Sequence, residues 1–358
     1  SGNVAKQTII VPNVGTNTGF TAVQSFTFDQ LDRLKVAKEV VGSTTKWQQT
    51  YLYDRYSNRR FDATNTTTIN TQLPTNQSNP GADDDNNKFT ESDDYFYDAS
   101  GNLIEDAFGN RFEYDAHGKT SKFFDEANSS SDPDAVYTYD GEDRRVKKVA
   151  DGITTIFVFD ATGKMVAEYS NETPTSSPAI TYVTMDDYDN PRIMTDGVGQ
   201  VTQRRDYMPF GEQLSAGSGE RTTGLGYTSD TRVRQGYASK DKDEETGFNY
   251  FGERYYSSAV GRFTSPDTLM ASGGASNPQT WNRYAYVVNN PVAYVDVNGE
   301  LKRDKNGKVK IFKYQFASVG HASGVSSSGF EIEIETDKGR RVKAFMNSAV
   351  PSMLGMRN

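Results

Sequence analysis

Tyr95-Phe96-Tyr97-Asp98-Ala99-Ser100-Gly101-Asn102 runs directly into Leu103-Ile104-Glu105-Asp106. Two aromatics at a spacing of two place their rings on one face of an extended strand. The aspartate opens a turn, because its carboxylate bonds backbone amides ahead of it, and Gly101 supplies the positive φ that such a turn needs. Leu103-Ile104-Glu105 then returns as a second strand. A single hairpin of this kind is marginal in water, so the pattern demands neighbours.

The neighbours are present. The unit aromatic-x-aromatic-Asp recurs at Phe26 to Asp29, Tyr51 to Asp54, Phe112 to Asp115, Tyr137 to Asp140 and Phe157 to Asp160. Several copies continue into Gly and a polar residue, as in His117-Gly118-Lys119 and Thr162-Gly163-Lys164. A diverged copy ends Asp206-Tyr207-Met208-Pro209-Phe210-Gly211. Hairpins repeated in this way predict an all-β fold built on a long, twisting antiparallel sheet, paired edge to edge. The repeat aromatics are expected on its apolar inner wall. Regular spacing marks the repeat aspartates as turn formers, since a site needs a few groups that converge.

Composition agrees with a folded chain. Of 358 residues 35% are apolar and mean hydropathy is −0.73. Yet aromatics make up 12%, with 21 Tyr and 20 Phe, whereas disordered chains are poor in them. The low mean hydropathy fits sheets whose second face meets water. A net charge of −9 argues against nucleic acid as a partner. No apolar run approaches the roughly 18 residues of a membrane span. Ser1-Gly2-Asn3-Val4 has neither the basic head nor the apolar stretch of a signal peptide, and the chain opens in mid-pattern, so it reads as a piece of a longer protein. With no cysteine there is no disulfide and no thiol catalysis.

Polar insertions interrupt the repeats at residues 65–87, which contain Asp83-Asp84-Asp85, and at 128–134 and 171–178. The acidic run lacks the ligand spacing of an EF-hand and reads as a solvated loop. From Thr222 the character changes, through the charged segment Lys240 to Glu245 into Gly247-Phe248-Asn249-Tyr250-Phe251-Gly252-Glu253-Arg254-Tyr255-Tyr256. A short helix is expected near Pro278 to Tyr284, with Pro at its first position. Beyond Gly299 the chain turns Lys-rich. There Phe330 to Glu335 alternates, Asp337-Lys338-Gly339 turns, and Arg341 to Phe345 returns as a further hairpin.

Gly261-Arg262-Phe263-Thr264-Ser265-Pro266-Asp267 and Asn282-Arg283-Tyr284-Ala285-Tyr286-Val287-Val288-Asn289-Asn290-Pro291, closing on Asp296-Val297-Asn298-Gly299, form a block where the repetition stops. This wording resembles the core domain that terminates RHS, or tyrosine–aspartate (YD), repeats. With the repeats, the resemblance covers roughly residues 20–301. It implies three parts: repeats over 1–221, the repeat-associated core over 222–301, and the start of a variable payload region over 302–358. It also implies a sheet that spirals into a hollow shell closed by the core block.

The chemistry open to this chain is that of carboxylates. Its two histidines, His117 and His321, form no zinc-binding pattern, and no phosphate-cradling loop is present. Two carboxylates that share a proton hydrolyse peptides, one activating water while the other polarises the carbonyl. Asp267 and Asp296 are the natural pair in the block, with Arg283 to stabilise the oxyanion. In resembling RHS proteins the core is an aspartyl autoprotease that severs its payload. The resemblance therefore implies Asp267, Arg283 and Asp296 as catalytic residues and a break between Leu301 and Lys302. The family's Pro after each aspartate is replaced here by Thr268 and Val297, its later glycine by Met270, and Glu300 separates Gly299 from Leu301. No cofactor or metal is expected. The expected partners are the chain's own payload and a delivery or secretion apparatus, with a secreted or cell-surface location. The alternative is a wall-associated adhesin or stalk that does not cut itself.

Overall fold

The computed structural model describes residues 3–67, 79–128, 130–172, 180–229, 233–268, 278–296 and 298–300, together with the backbone of five later strands. Its strands are antiparallel throughout, and its helical pieces among the described residues are single 3₁₀ turns. One of these, Pro278–Trp281, falls where the Asn-Pro signal places a short helix. No helix among the described residues is long and apolar enough to cross a membrane.

Strands β1 (Val4–Val11), β2 (Phe20–Phe28), β3 (Leu34–Val41), β4 (Thr44–Tyr53) and β5 (Arg59–Phe61) pair in sequence order as one sheet. An eight-stranded sheet follows, also in sequence order. It contains β6 (Phe96–Tyr97), β7 (Leu103–Glu105), β8 (Arg111–Tyr114), β9 (Thr120–Phe124), β10 (Ala135–Tyr139), β11 (Arg145–Ala150), β12 (Ile153–Phe159) and β13 (Met165–Ser170). Next come β14 (Tyr182–Met185), β15 (Pro191–Thr195) and β16 (Val201–Arg204), then the pair β17 (Asp206–Tyr207) and β18 (Gln213–Leu214). The edge-to-edge pairing expected of the repeats thus holds within each sheet. It breaks at the insertions over 65–87 and 171–178 and again at Arg205, while the insertion over 128–134 leaves β9 and β10 paired.

Each repeat turn is built alike. In the Asp115 copy, Oδ1 accepts from the amides of His117 and Lys119, both at 2.9 Å. Asp115 N donates to Lys119 O and Gly118 N to Asp115 O. The fourth residue must then adopt positive φ, and it does so as Gly101, Gly118 and Gly163, or as Asp32, Ser57 and Asp143. Asp106, Asp186 and Asp196 make the same turn without the full aromatic motif. The motif aromatics Tyr97, Tyr114, Tyr139 and Phe159 all end strands, as the pattern predicts. Their tyrosines also do something that alternation alone does not require. Tyr53, Tyr114 and Tyr139 donate hydroxyl bonds of 2.6–2.8 Å to Leu34, Leu103 and Thr120, the first residues of the preceding units' return strands. The second ring of one unit therefore staples the unit before it.

The repeat aromatics are covered by the closing block rather than by a lumen. That block carries β19 (Asp241–Asp243), β20 (Phe248–Tyr250), β21 (Tyr255–Ser257), β22 (Arg262–Phe263) and β23 (Tyr294–Val295). Phe248 stacks on Phe112 at 5.5 Å between centroids, Tyr255 lies against Tyr137 and Tyr284 against Tyr97. The first sheet buries Trp47, Tyr51 and Phe26 in one cluster with Phe210, Tyr227 and Val292. Such rings bury about 150–250 Å² each, so the block is the natural cover for a face this apolar. A charged network ties the first sheet to the stretch from β17 to Arg221, ahead of the block. Arg221 bonds both Glu39 oxygens at 2.8 Å and Asp206 at 2.7 Å, all three fully buried.

After the block come β24 (Lys302–Arg303), β25 (Val309–Lys310), β26 (Phe312–Lys313), β27 (Phe330–Thr336) and β28 (Arg341–Met346). The hairpin expected at Phe330 to Phe345 forms, and its first strand pairs with β1, extending the first sheet to seven strands.

Candidate functional site

The site lies where three strands of chain converge inside the block. Gly252, at φ +96°, turns the chain from β20 towards β21 and places Arg254 at the head of that strand. Asp267 follows β22. It is held in a two-way clasp with Arg283, in which Asp267 N donates to Arg283 O at 2.9 Å and Arg283 Nε donates to Asp267 O at 2.9 Å. Asp296 follows β23, and its Oδ1 accepts from the amides of Gly299 at 2.8 Å and Asn298 at 3.2 Å. Gly299 has φ +81°, and a Cβ there would stand 3.1 Å from Phe251 Cβ and 3.3 Å from Arg254 N. Only glycine lets this last turn come so close to the arginine.

Arg254 stands at the centre. Its Nη2 lies 3.8 Å from Asp267 Oδ2 and 3.9 Å from Asp296 Oδ2. Nε donates to Gly299 O at 2.5 Å and Nη1 to Arg283 O at 2.8 Å, and the guanidinium lies 3.6 Å over the Phe263 ring. Relative exposures are 3% for Arg254, 0% for Asp267 and 5% for Asp296, so all three charges are out of water. Asp296 Oδ2 and Arg254 Nη2 have no hydrogen-bond partner. An unpaired acceptor and an unpaired donor, both buried and 3.9 Å apart, are a site of unspent polarity.

Burial pushes the Asp296 carboxyl above its ordinary range. Arg254 and the two amides pull it down, and nearby Asp267 adds to the rise. Burial pulls the Arg254 guanidinium down, against the attraction of both carboxylates. One acid is thus biased towards its protonated form next to a second carboxylate, the arrangement that acid–base hydrolysis uses.

The structure brings together Asp267 and Asp296, the two aspartates singled out from the sequence. Arg283 is beside them, but its side chain reaches the Asp267 backbone carbonyl, and the guanidinium between the carboxylates belongs to Arg254. Sequence reasoning passed over Arg254 although it stands in Gly252-x-Arg254-Tyr255-Tyr256. An arginine set among aromatics after a glycine turn was the available signal. Leu301, Val297 and Met270 lie outside the described residues, and of Lys302 only the backbone is described. No group of three or more His, Cys, Asp or Glu side chains among the described residues is arranged to hold a metal ion.

Residues 149–292 match the family described as Teneurin YD-shell. The tRNA nuclease WapA of Bacillus subtilis (strain 168) is 26% identical over 220 residues, covering 57% of this chain and 9% of that protein. Toxin subunit YenC1 of Yersinia entomophaga is 24% identical over 246 residues, covering 57% of this chain and 23% of its own length. Among solved structures, the Photorhabdus luminescens Tc holotoxin pore superimposes with a TM-score of 0.50 at 15% identity. That match covers 87% of this chain and 15% of the other. The chain therefore spans less than a quarter of each relative's length. Aspartate-turned hairpins, tyrosines that staple one unit to the last, a closing block on their aromatic face and these matches lead to one conclusion: the chain has a YD-shell fold, and over residues 149–292 its sequence is similar to the Teneurin YD-shell family.

Proposed function

We propose that this chain is the closing portion of an RHS-type shell that houses and presents a C-terminal, toxin-like payload, and that the block releases the payload by aspartyl autoproteolysis beside Leu301. In this reading residues 1–221 are shell repeats, 222–301 are the core and 302–358 open the payload region. The observation that carries it is the guanidinium of Arg254, set between two buried carboxylates with its Nε on the carbonyl of Gly299, two residues before Leu301. The names of the relatives, a tRNA nuclease and a toxin subunit, support a toxic payload. Further partners are a delivery or secretion apparatus, and the location is secreted or at the cell surface.

The step is hydrolysis of the Leu301–Lys302 peptide bond. Asp267 takes a proton from water as the oxygen adds to the Leu301 carbonyl carbon. Asp296 in its protonated form gives its proton to the carbonyl oxygen, and Arg254 stabilises the charge that gathers there. Collapse of the tetrahedral species breaks the C–N bond. The amine leaves with the proton held by Asp267, and Asp296 recovers its own. The substrate is delivered by the chain itself, and effective molarities of about 10⁵ M or more are reached in intramolecular arrangements. A modest catalytic pair is then sufficient for one turnover.

The test is intact mass of the purified chain during incubation at about pH 5–7. Wild type is expected to yield a piece ending at Leu301, and Asp296→Asn to stay whole while its circular dichroism is unchanged. A wild-type chain that remains full length for days removes the protease and leaves a plain shell.

A further inference from the structure

Arg254 is flanked in sequence by two residues that the repeat sheet holds from outside the block. On one side Glu253 receives the Lys119 ammonium at its carboxylate and, at 3.4 Å, at its backbone carbonyl. On the other the Tyr255 hydroxyl accepts from Arg145 Nη1 at 2.9 Å. These contacts span 134 and 110 residues. The side chains of Lys119 and Arg145 are 5% and 2% exposed. A cation so far from water is costly unless its partners are in place.

Lys119 differs from most of its counterparts in the repeats. It is the fourth residue after the turn aspartate. In six other copies Arg33, Asn58, Asn102, Asn110, Arg144 and Asn190 stand there, and each turns its side chain back onto that aspartate, whereas Lys164 and Gln200 bond theirs through the backbone amide. Lys119 keeps the backbone bond to Asp115 but sends its ammonium across to Glu253. Arg145 is likewise tied to the block, through Asp243 and, at 3.7 Å, Asp241. Turn formation does not call for either reach.

We infer that Lys119 and Arg145 are positioning residues for Arg254, so that seating of the repeat sheet on the block sets the guanidinium between its two carboxylates. The consequence rests on the autoproteolytic reading: peptide cleavage follows completion of the shell around the block and does not precede it. A misplacement of about 1 Å is enough to cost roughly 100-fold in rate, so a small loosening of residues 253–255 is read out strongly.

Two measurements on the full chain separate this inference from the reading beneath it. The first is the rate of appearance of the Leu301-ended piece by intact mass. Lys119→Met is expected to slow it at least tenfold with Tm nearly unchanged, Tyr255→Phe to slow it less, and Lys119→Arg to restore it. Lys122→Met, on the same hairpin with a half-exposed side chain paired to Glu113, serves as the control. Wild-type rates in both Lys119→Met and Tyr255→Phe overturn the inference. The second is hydrogen exchange of the peptide around Gly252–Ser257, which needs no cleavage. Lys119→Met is expected to speed exchange there at least tenfold and to leave β1–β4 unchanged. If wild type does not cut, the protease reading falls while exchange still judges Lys119, and unchanged protection overturns its role.

Discussion

Asp160 and Asp296 carry the same carboxyl group in opposite surroundings. Asp160 closes a repeat turn at the surface, where its Oδ1 accepts from Thr162 N, Thr162 Oγ1 and Lys164 N at 2.6–3.0 Å. The Thr162 hydroxyl and the two amides hold its carboxyl below the usual range. Asp296 also accepts two amides, yet it is 5% exposed and keeps one oxygen unpartnered beside an arginine and a second acid. Burial outweighs those bonds and raises it. An aspartate with all its bonds made locally builds structure. One with a bond left over, in the dark, is available for chemistry. Four experiments press on that difference.

The largest effect is on cleavage. Asp267→Asn or Asp296→Asn is expected to abolish self-cleavage, and Arg254→Gln to lower its rate by about 10²–10³, the usual cost of one oxyanion donor. Asp140→Asn in a repeat turn leaves the rate unchanged. Equal losses in the turn and the block, read by intact mass, break the comparison.

Next is stability at the centre of the block. Arg254→Leu leaves Asp267 and Asp296 buried without their shared cation, and breaking such a pair costs roughly 3–5 kcal/mol. Tm should fall by several degrees, and adding Asp267→Asn with Asp296→Asn should recover most of it. Failure of the triple variant to recover would place the arginine's worth in packing on Phe263 instead.

The third sharpens the comparison through pH. Asp160 is lowered in the folded state, so its contribution is present at neutral pH and lost as pH falls through its folded pKa. Asp296 is raised, so its contribution is present in acid and lost as pH rises through its folded pKa. Asp160→Asn should therefore lower Tm at pH 7, Asp296→Asn should raise it, and both differences should shrink towards pH 3. Two curves of the same sign would refute the opposed surroundings.

The smallest effect belongs to the staples. Tyr114→Phe removes one hydroxyl bond to Leu103 O and should cost about 1 kcal/mol, the ordinary worth of such a bond. Tyr97→Phe, whose hydroxyl bond to Phe89 N is long at 3.4 Å, should cost less. Thermal melts of both variants rank them.

Much of this was legible in the chain because it is local. The turn from Asp115 to Lys119 closes within five residues, as do its bonds, so Asp, positive-φ Gly and alternating aromatics predict strand, turn and return without knowledge of the rest. The hairpin at Phe330 to Phe345 and the 3₁₀ turn at Pro278 were readable for the same reason. Asp267 and Asp296 stood out through the resemblance of their block to a known core and not through spacing, since Asp296-Val297-Asn298-Gly299 repeats the Asp-x-x-Gly of the turns. What tertiary structure alone decided is long-range. Arg254 meets Arg283 and Gly299 across 29 and 45 residues, and Lys119 meets Glu253 across 134. No periodicity reports which of two nearby arginines faces a carboxylate pair, since that depends on how three turns stack after the sheet is covered. Composition and spacing set each hairpin. The assembled block chose the arginine and left Asp296 with an oxygen unpartnered beside it.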